Sequence, residues 1–185
     1  MATTLDQSKP QADFKPSKAD WLAKKQQWAR DPVLWVEERL GIPKARLWEG
    51  EIKMLEALPK AIKERKPIVV HSGHSLGKDF TISGCATLWF YDAIGDCKIA
   101  LTAPTERQVL DIMWAELTAR YNKRLNTSEE WGKMTVGSLR LNEEQFITAF
   151  TTKESQGQQG KFQGLHHHRV MVVVSEAQAV DDAIF

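Results

Sequence analysis

Apolar residues recur along this chain with two periods, and the changes from one to the other mark its elements. Ser17 can cap a helix that carries Trp21, Leu22, Trp28 and Ala29 on one face. Asp31 and Pro32 restart a second helix, Asp31 as N-cap and Pro32 in the first position; Val33, Leu34, Val36 and Leu40 form its apolar side and Gly41 closes it. From Trp48 to Lys63 the apolar residues Ile52, Leu55, Leu58 and Ile62 are spaced by three and four, with Pro59 among them, so a helix kinked or broken at Pro59 is expected. Pro67 to His71 is a short apolar run, read as a buried strand, and an apolar helical stretch follows from Lys78 through Tyr91.

Cys97 to Thr102 reads as a second strand. It feeds a turn at Ala103-Pro104-Thr105 and a helix from Glu106 to Tyr121 with Val109, Ile112, Met113, Trp114 and Leu117 apolar. Strands alternating with crossover helices predict an α/β fold built on a parallel sheet. Ser138 to Asn142 and Gln145 to Thr151 form a hairpin around Asn142-Glu143-Glu144, and the polar, glycine-bearing stretch from Lys153 to His168 is a surface loop. Val170 to Val174 is an unbroken apolar strand whose composition suits a central position buried on both faces.

Composition changes this picture little. At 185 residues, 42% hydrophobic and 26% charged, the chain is long enough for one well-packed domain. Met1 to Pro16 is polar and without periodicity, a flexible arm; 17–66 form a helical N-terminal layer and 67–185 the core. Residues 1–66 hold 14 basic and 10 acidic side chains and residues 67–185 hold 11 and 14, a weak pointer to a polyanion partner that a solvated helical surface explains equally well. Cys85 and Cys97 have no metal-type spacing and read as buried free thiols, and no apolar run is long enough for a membrane span, so an intracellular, soluble protein is expected.

The chemistry concentrates where strands end. After the run at 67–71 comes Ser72-Gly73-His74-Ser75-Leu76-Gly77-Lys78-Asp79, close to the phosphate-binding pattern G-x-x-x-x-G-K-[ST]. Backbone N–H groups of such a loop, with the helix N-terminus, face a polyphosphate, and Lys78 reaches its β and γ oxygens as a point charge. Ser72 stands where the first glycine belongs, and Asp79 stands where a hydroxyl belongs. The strand at 170–174 ends in Ser175-Glu176, where a Walker B strand ends in two carboxylates; Glu176 keeps the second position, which orients or deprotonates the attacking water. A coupled reading of both departures has Asp79 and Ser175 exchange ligand types across one Mg²⁺ ion, keeping one carboxylate and one hydroxyl near it. The plain reading of Asp79 is a helix cap.

Two other constellations have weaker claims. Trp35 and Trp48 read as packing, and the sharper alternative sets Trp48 and Glu51 in an adenine-side pocket. His166, His167 and His168 are adjacent; in an extended segment they alternate faces, and no Cys, Asp or Glu lies at ligand spacing, so no metal site is expected there.

Four segments in order, SGHSLGKDF (72–80), LTAPTERQVLDIMW (101–114), FQGLHH (162–167) and VVVSEAQAV (172–180), make the chain resemble the ATPase domain of large terminase subunits of tailed bacteriophages. They span residues 72–185; residues 17–66 are compatible but not diagnostic. The resemblance implies a P-loop NTPase of the ASCE type, a three-layer sandwich with a mainly parallel central sheet. It implies ATP and Mg²⁺ as cofactors, Lys78 on the phosphates, Glu176 as catalytic carboxylate, and Thr102 to Gln108 as a turn facing nucleotide or DNA.

Some members carry a γ-phosphate-sensing arginine in the loop, where this chain offers His74; Arg107, Arg120 and Arg124 are the arginine-finger candidates. Implied partners are double-stranded DNA, further copies in a homo-oligomeric ring, a small terminase subunit and a portal protein, in the host cytoplasm and away from membranes. The family continues into another strand and a nuclease domain. With the chain ending at Phe185, a fragment or truncated product with an incomplete sheet is expected, and no nuclease activity is assigned. The competing readings are a nucleotide-binding or assembly module with weak catalysis, and a helicase-type translocase.

Overall fold

The computed structural model describes residues 17–71, 73, 76–125, 131–152 and 165–179. The expected arm at 1–16, most of the loop from Lys153, and loop residues Ser72, His74 and Ser75 lie outside them. Among the described residues, five longer helices and a five-stranded sheet make up the α/β fold.

Helix α1 (Lys18–Arg30) begins at a capping box in which Ser17 and Asp20 satisfy each other's backbone N–H groups. Helix α2 (Pro32–Leu40) starts where the Asp31 carboxylate accepts from Leu34 N–H at 2.9 Å, and ends at Gly41 in the left-handed conformation. Helix α3 (Glu49–Glu64) runs unbroken through Pro59. The expected break is absent because Ile52, Leu55 and Leu58 anchor the helix to the core where the lost backbone bond would loosen it.

Helix α4 (residues 78–94) is π-helical over Phe80–Ala86 and Phe90–Ile94, with an α-helical turn, Thr87–Trp89, between them. Helix α5 (residues 106–123) is π-helical over Gln108–Trp114 and α-helical over Ala115–Lys123. The two helices cross at Gly84, where an added Cβ would come within 3.0 Å of Arg120 Cγ.

The sheet contains β1 (Lys98–Ala103), β2 (Lys133–Thr135), β3 (Ser138–Arg140), β4 (Phe146–Thr151) and β5 (Val170–Val174), in the order β2-β3-β4-β1-β5. β1 lies parallel to β4 on one side and to β5 on the other, while β2-β3 and β3-β4 are antiparallel, so the sheet is mixed. The expected hairpin is β3-β4. β2 was not anticipated, because its three residues are too few to show a period.

Ile99, Leu101 and Ala103 of β1 face the main core with Val109, Met113 and Leu117 of α5; α4 packs on α5, and α1, α2 and α3 pack on α4. Among the described residues the helices therefore stack outward from one face, where a three-layer sandwich covers both. The opposite face carries a smaller cluster of Ala100, Phe146, Phe150 and Leu165.

Two sequence expectations are corrected here. Pro67 to His71 is irregular and largely exposed, with Val69 at 71%. Both edges of β1 are taken by β4 and β5, so among the described strands the run has no place beside β1. Among the described strands β5 lies at an edge rather than at the centre, and its Val172 is 47% exposed.

The helical layer is tied to α4 through one buried ion pair. Arg39 Nε lies 3.0 Å from Asp92 Oδ2, Trp35 Nε1 donates to the same oxygen at 2.8 Å, and the guanidinium rests 5.2 Å from the rings of Trp28 and Trp131. Trp89 Nε1 donates to the Trp28 carbonyl at 2.7 Å across the same interface. Trp35 is thus a packing residue. Cys85 and Cys97 are buried free thiols, and burial pushes both up to about 12, which keeps them protonated and unreactive.

Removing Arg39 leaves the buried Asp92 charge with only the half-exposed Lys25 ammonium, 3.8 Å away. Arg39→Ala is therefore expected to cost about 3–5 kcal/mol, read as a fall of about 6–20 °C in Tm by calorimetry. A loss below about 1 kcal/mol would show that the pair does not hold the helical layer in place.

Candidate functional site

In the helix-start turn that leads into α4, Gly77 has φ +71, a left-handed conformation that glycine adopts without a Cβ clash. A Cβ there would also collide with Glu51 Oε1. Glu51 is buried in the first turn of α3, where its other oxygen accepts the Trp48 N–H at 3.1 Å. Beyond the turn, Thr81 N–H donates to the Gly77 carbonyl at 2.9 Å and starts the helix. Lys78 and Asp79 therefore emerge half-buried at the α4 N-terminus. Gly73 and Leu76 upstream are exposed.

The second segment arrives from the sheet. The β1-β5 ladder extends past the end of β5, with Ser175 N–H donating to the Thr102 carbonyl at 3.0 Å. The chain then turns sharply at Glu176, whose φ of +53 is uncommon for a residue with a side chain. The turn leads into a short 3-10 helix, Ala177–Ala179, that begins with Ala179 N–H on the Glu176 carbonyl, and Gln178 Nε2 donates to the Glu176 carboxylate. Backbone strain of this kind gathers at sites where a side chain must be aimed.

The two segments meet. The Ser175 hydroxyl, Lys78 and Glu176 all lie near enough to the Asp79 carboxylate to influence its charge. Burial is the largest influence on Asp79 and raises its pKa; Lys78 opposes this, the like charge of Glu176 adds to it, and the net direction is upward. Lys78, Asp79, Ser175 and Glu176, singled out from two distant stretches of sequence, thus share one site. It lies at the carboxyl ends of the parallel strands, where open α/β sheets bind ligands.

A carboxylate and a hydroxyl near each other, with a second carboxylate beside them, are oxygen donors suited to a hard divalent cation such as Mg²⁺. A carboxylate that burial holds above its ordinary range gains most from an arriving positive charge. The residues present therefore fit the ion.

Other expected residues are placed differently. Thr105 and Gln108 cap α5 reciprocally, with the Thr105 hydroxyl donating to Gln108 Oε1 at 2.7 Å and accepting from Gln108 N–H at 3.3 Å. Arg120 sits over Phe80 at 4.6 Å and Arg124 over Tyr121 at 3.8 Å, so both are half-buried packing groups, while Arg107 is exposed at the start of α5. Trp48 is 46% exposed, and Glu51 alone of that pair supports the loop.

Two features escaped the sequence reading. One is the contact of Glu51 with Gly77, which no spacing encodes. The other is a pair of buried hydroxyls, Thr81 and Thr102, that have no hydrogen-bond partner among the described residues. Comparison with protein-family models, curated proteins and solved structures finds no match.

The raised pKa of Asp79 fixes the sign of its effect on stability. The contribution is complete below the ordinary value of 3.8, where folded and unfolded chains both hold the neutral acid, and is lost as pH rises through the higher folded-state value. Without divalent cations, Asp79→Asn is expected to melt higher than the parent at pH 7, with the difference closing below pH 3.8. A variant that melts lower at pH 7 would mean that the Ser175 and Lys78 contacts outweigh burial.

Proposed function

We propose that the chain is an ATP-binding and ATP-hydrolysing domain of the large-terminase kind, a P-loop NTPase core that drives double-stranded DNA into a procapsid. The observation that carries the reading is the meeting of Lys78 and Asp79 with Ser175 and Glu176 at the carboxyl ends of the parallel strands. In this reading Lys78 and the N-terminus of α4 bind the β and γ phosphates. Asp79 and Ser175 would hold Mg²⁺, whose positive charge would offset the negative charge of the phosphates. Glu176, aimed by its strained backbone, orients the attacking water and takes its proton. The ring of copies, the small subunit, the portal and the host-cytoplasmic setting follow from the resemblance. Among the described residues no helix is long and apolar enough to cross a membrane.

A second reading, a nucleotide-binding or assembly module with weak turnover, is favoured by one observation. The run at 67–71, which should anchor the phosphate loop from inside the sheet, is irregular and exposed.

Mg²⁺-dependent ATP binding and turnover separate the two readings. The expected result is that Lys78→Ala loses binding, whereas Glu176→Gln keeps binding and loses about 10²–10⁴-fold in turnover. Tight binding without turnover in the parent would favour the module, and no binding in the parent would refute the ATPase and leave only an assembly role. A second test concerns the ion: Asp79→Thr combined with Ser175→Asp is expected to restore the Mg²⁺-dependent nucleotide affinity that each single change loses. Additive losses would rule out the exchange of ligand types.

A further inference from the structure

At the opposite end of the sheet, where the parallel strands begin, three loops bring Asp96, Glu144, His167 and His168 together. The expectation that consecutive histidines diverge fails because residues 167–169 bend instead of running extended. The rings of His167 and His168 lie 4.2 Å apart at an angle of 35°. His168 Nε2 is 3.2 Å from Asp96 Oδ2, and His167 Nε2 is 3.5 Å from both Asp96 Oδ1 and Glu144 Oε2. One ligand atom from each of Asp96, His167 and His168 lies within 4.8 Å of the other two.

We propose that Asp96, His167 and His168 form a binding site for a divalent transition-metal ion of the zinc class, separate from the nucleotide site and leaving a coordination position open. The spacing carries the first part of the argument. Zinc bonds of about 2.0–2.2 Å in a tetrahedron put neighbouring ligand atoms roughly 3.3–3.5 Å apart. Each oxygen of Asp96 stands close to that separation from one of the two imidazoles, Oδ1 from His167 and Oδ2 from His168.

The second part is the tautomer. His167 Nδ1 is 3.3 Å from the Arg169 carbonyl, so an Nδ1–H donated there leaves the Nε2 lone pair facing Asp96. This is the backbone partner that metal-binding histidines generally have. Arg169 N–H lies 3.2 Å from the same nitrogen and suits the other tautomer, which a bound ion would select against.

The third part is preorganisation. The Arg169 guanidinium donates to the carbonyls of Ile94 and Gly95, both at 3.2 Å, and ties the Asp96 loop to the histidine loop. Gln145 Oε1 accepts the Asp96 N–H at 3.2 Å, and Asn142 Oδ1 accepts the N–H groups of Glu144 and Gln145 at 2.8 Å. Ligand-bearing loops cross-braced in this way lose little further freedom on binding. Glu144, 3.4 Å from Lys98 Nζ, lends its charge to the site while paired with that lysine. Imidazole with carboxylate favours zinc-class ions over Mg²⁺ or Ca²⁺. Set between the leading ends of β1 and β5, the ion would cross-link the sheet.

The test titrates the chelator-treated full chain with Zn²⁺ in a calorimeter, and with Co²⁺ while following the visible absorption of a tetrahedral ion. One equivalent is expected to bind and to raise Tm by mass action. Asp96→Asn and His168→Ala alter exposed side chains and should leave folding intact by circular dichroism; each is expected to weaken binding by more than the about 10–100-fold typical of losing an outer-shell partner. His166→Ala is expected to change nothing, since only the His166 backbone carbonyl, bound by Lys98 at 3.3 Å, takes part in the local structure. No saturable binding by the parent, parental affinity in Asp96→Asn or His168→Ala, or an equal loss in His166→Ala would overturn the proposal.

Discussion

The parallel ladder between β1 and β5 continues past β5 at both ends. Lys98 N–H donates to the Arg169 carbonyl at 3.0 Å, and Ser175 N–H donates to the Thr102 carbonyl at 3.0 Å. The first bond places the histidine loop beside Asp96, and the second places Ser175 and Glu176 beside the start of α4. A slip of one residue in this register would turn Met171 and Val173 out of the core and move both clusters at once. Each candidate site therefore depends on a pairing in which its own side chains take no part.

The helical layer supplies the other half of the candidate site around Lys78. Arg39 and Asp92 lock α2 to α4 in surroundings where neither charge is stable alone, and three tryptophans around the guanidinium exclude water. With α4 held there, α3 lies close enough for Glu51 to fill the space beside Gly77. That contact leaves room for glycine only, and it sets the direction from which Lys78 and Asp79 leave the loop. The N-terminal helices, mildly basic and without any motif of their own, are structural supports for the turn at Gly77.

Much of this was legible in the chain. The caps at Ser17 and Asp31, the left-handed stop at Gly41, the β3-β4 hairpin and the helix from Glu106 follow from local rules, because each is decided by a few neighbouring residues. The reading went astray where partners decide the outcome. Pro67 to His71 has the composition of a buried strand yet joins no described strand, and Val170 to Val174 has that of a central strand yet lies at an edge of the described sheet. Apolar content says that a segment favours burial; it does not say whether an edge is open to receive it.

By itself the sequence determined the identity and local conformation of the chemical groups: a glycine-lysine turn opening a helix, a serine-glutamate pair closing an apolar strand, two thiols with no metal spacing. These depend on short-range sterics and hydrogen bonding, which a few residues carry wherever they occur. Only the tertiary structure decided which groups meet. Ser175 and Glu176 come near Asp79, Asp96 joins two histidines that spacing alone kept apart, and Glu51 closes on Gly77, because sheet register and helix packing bring together residues that no local rule relates.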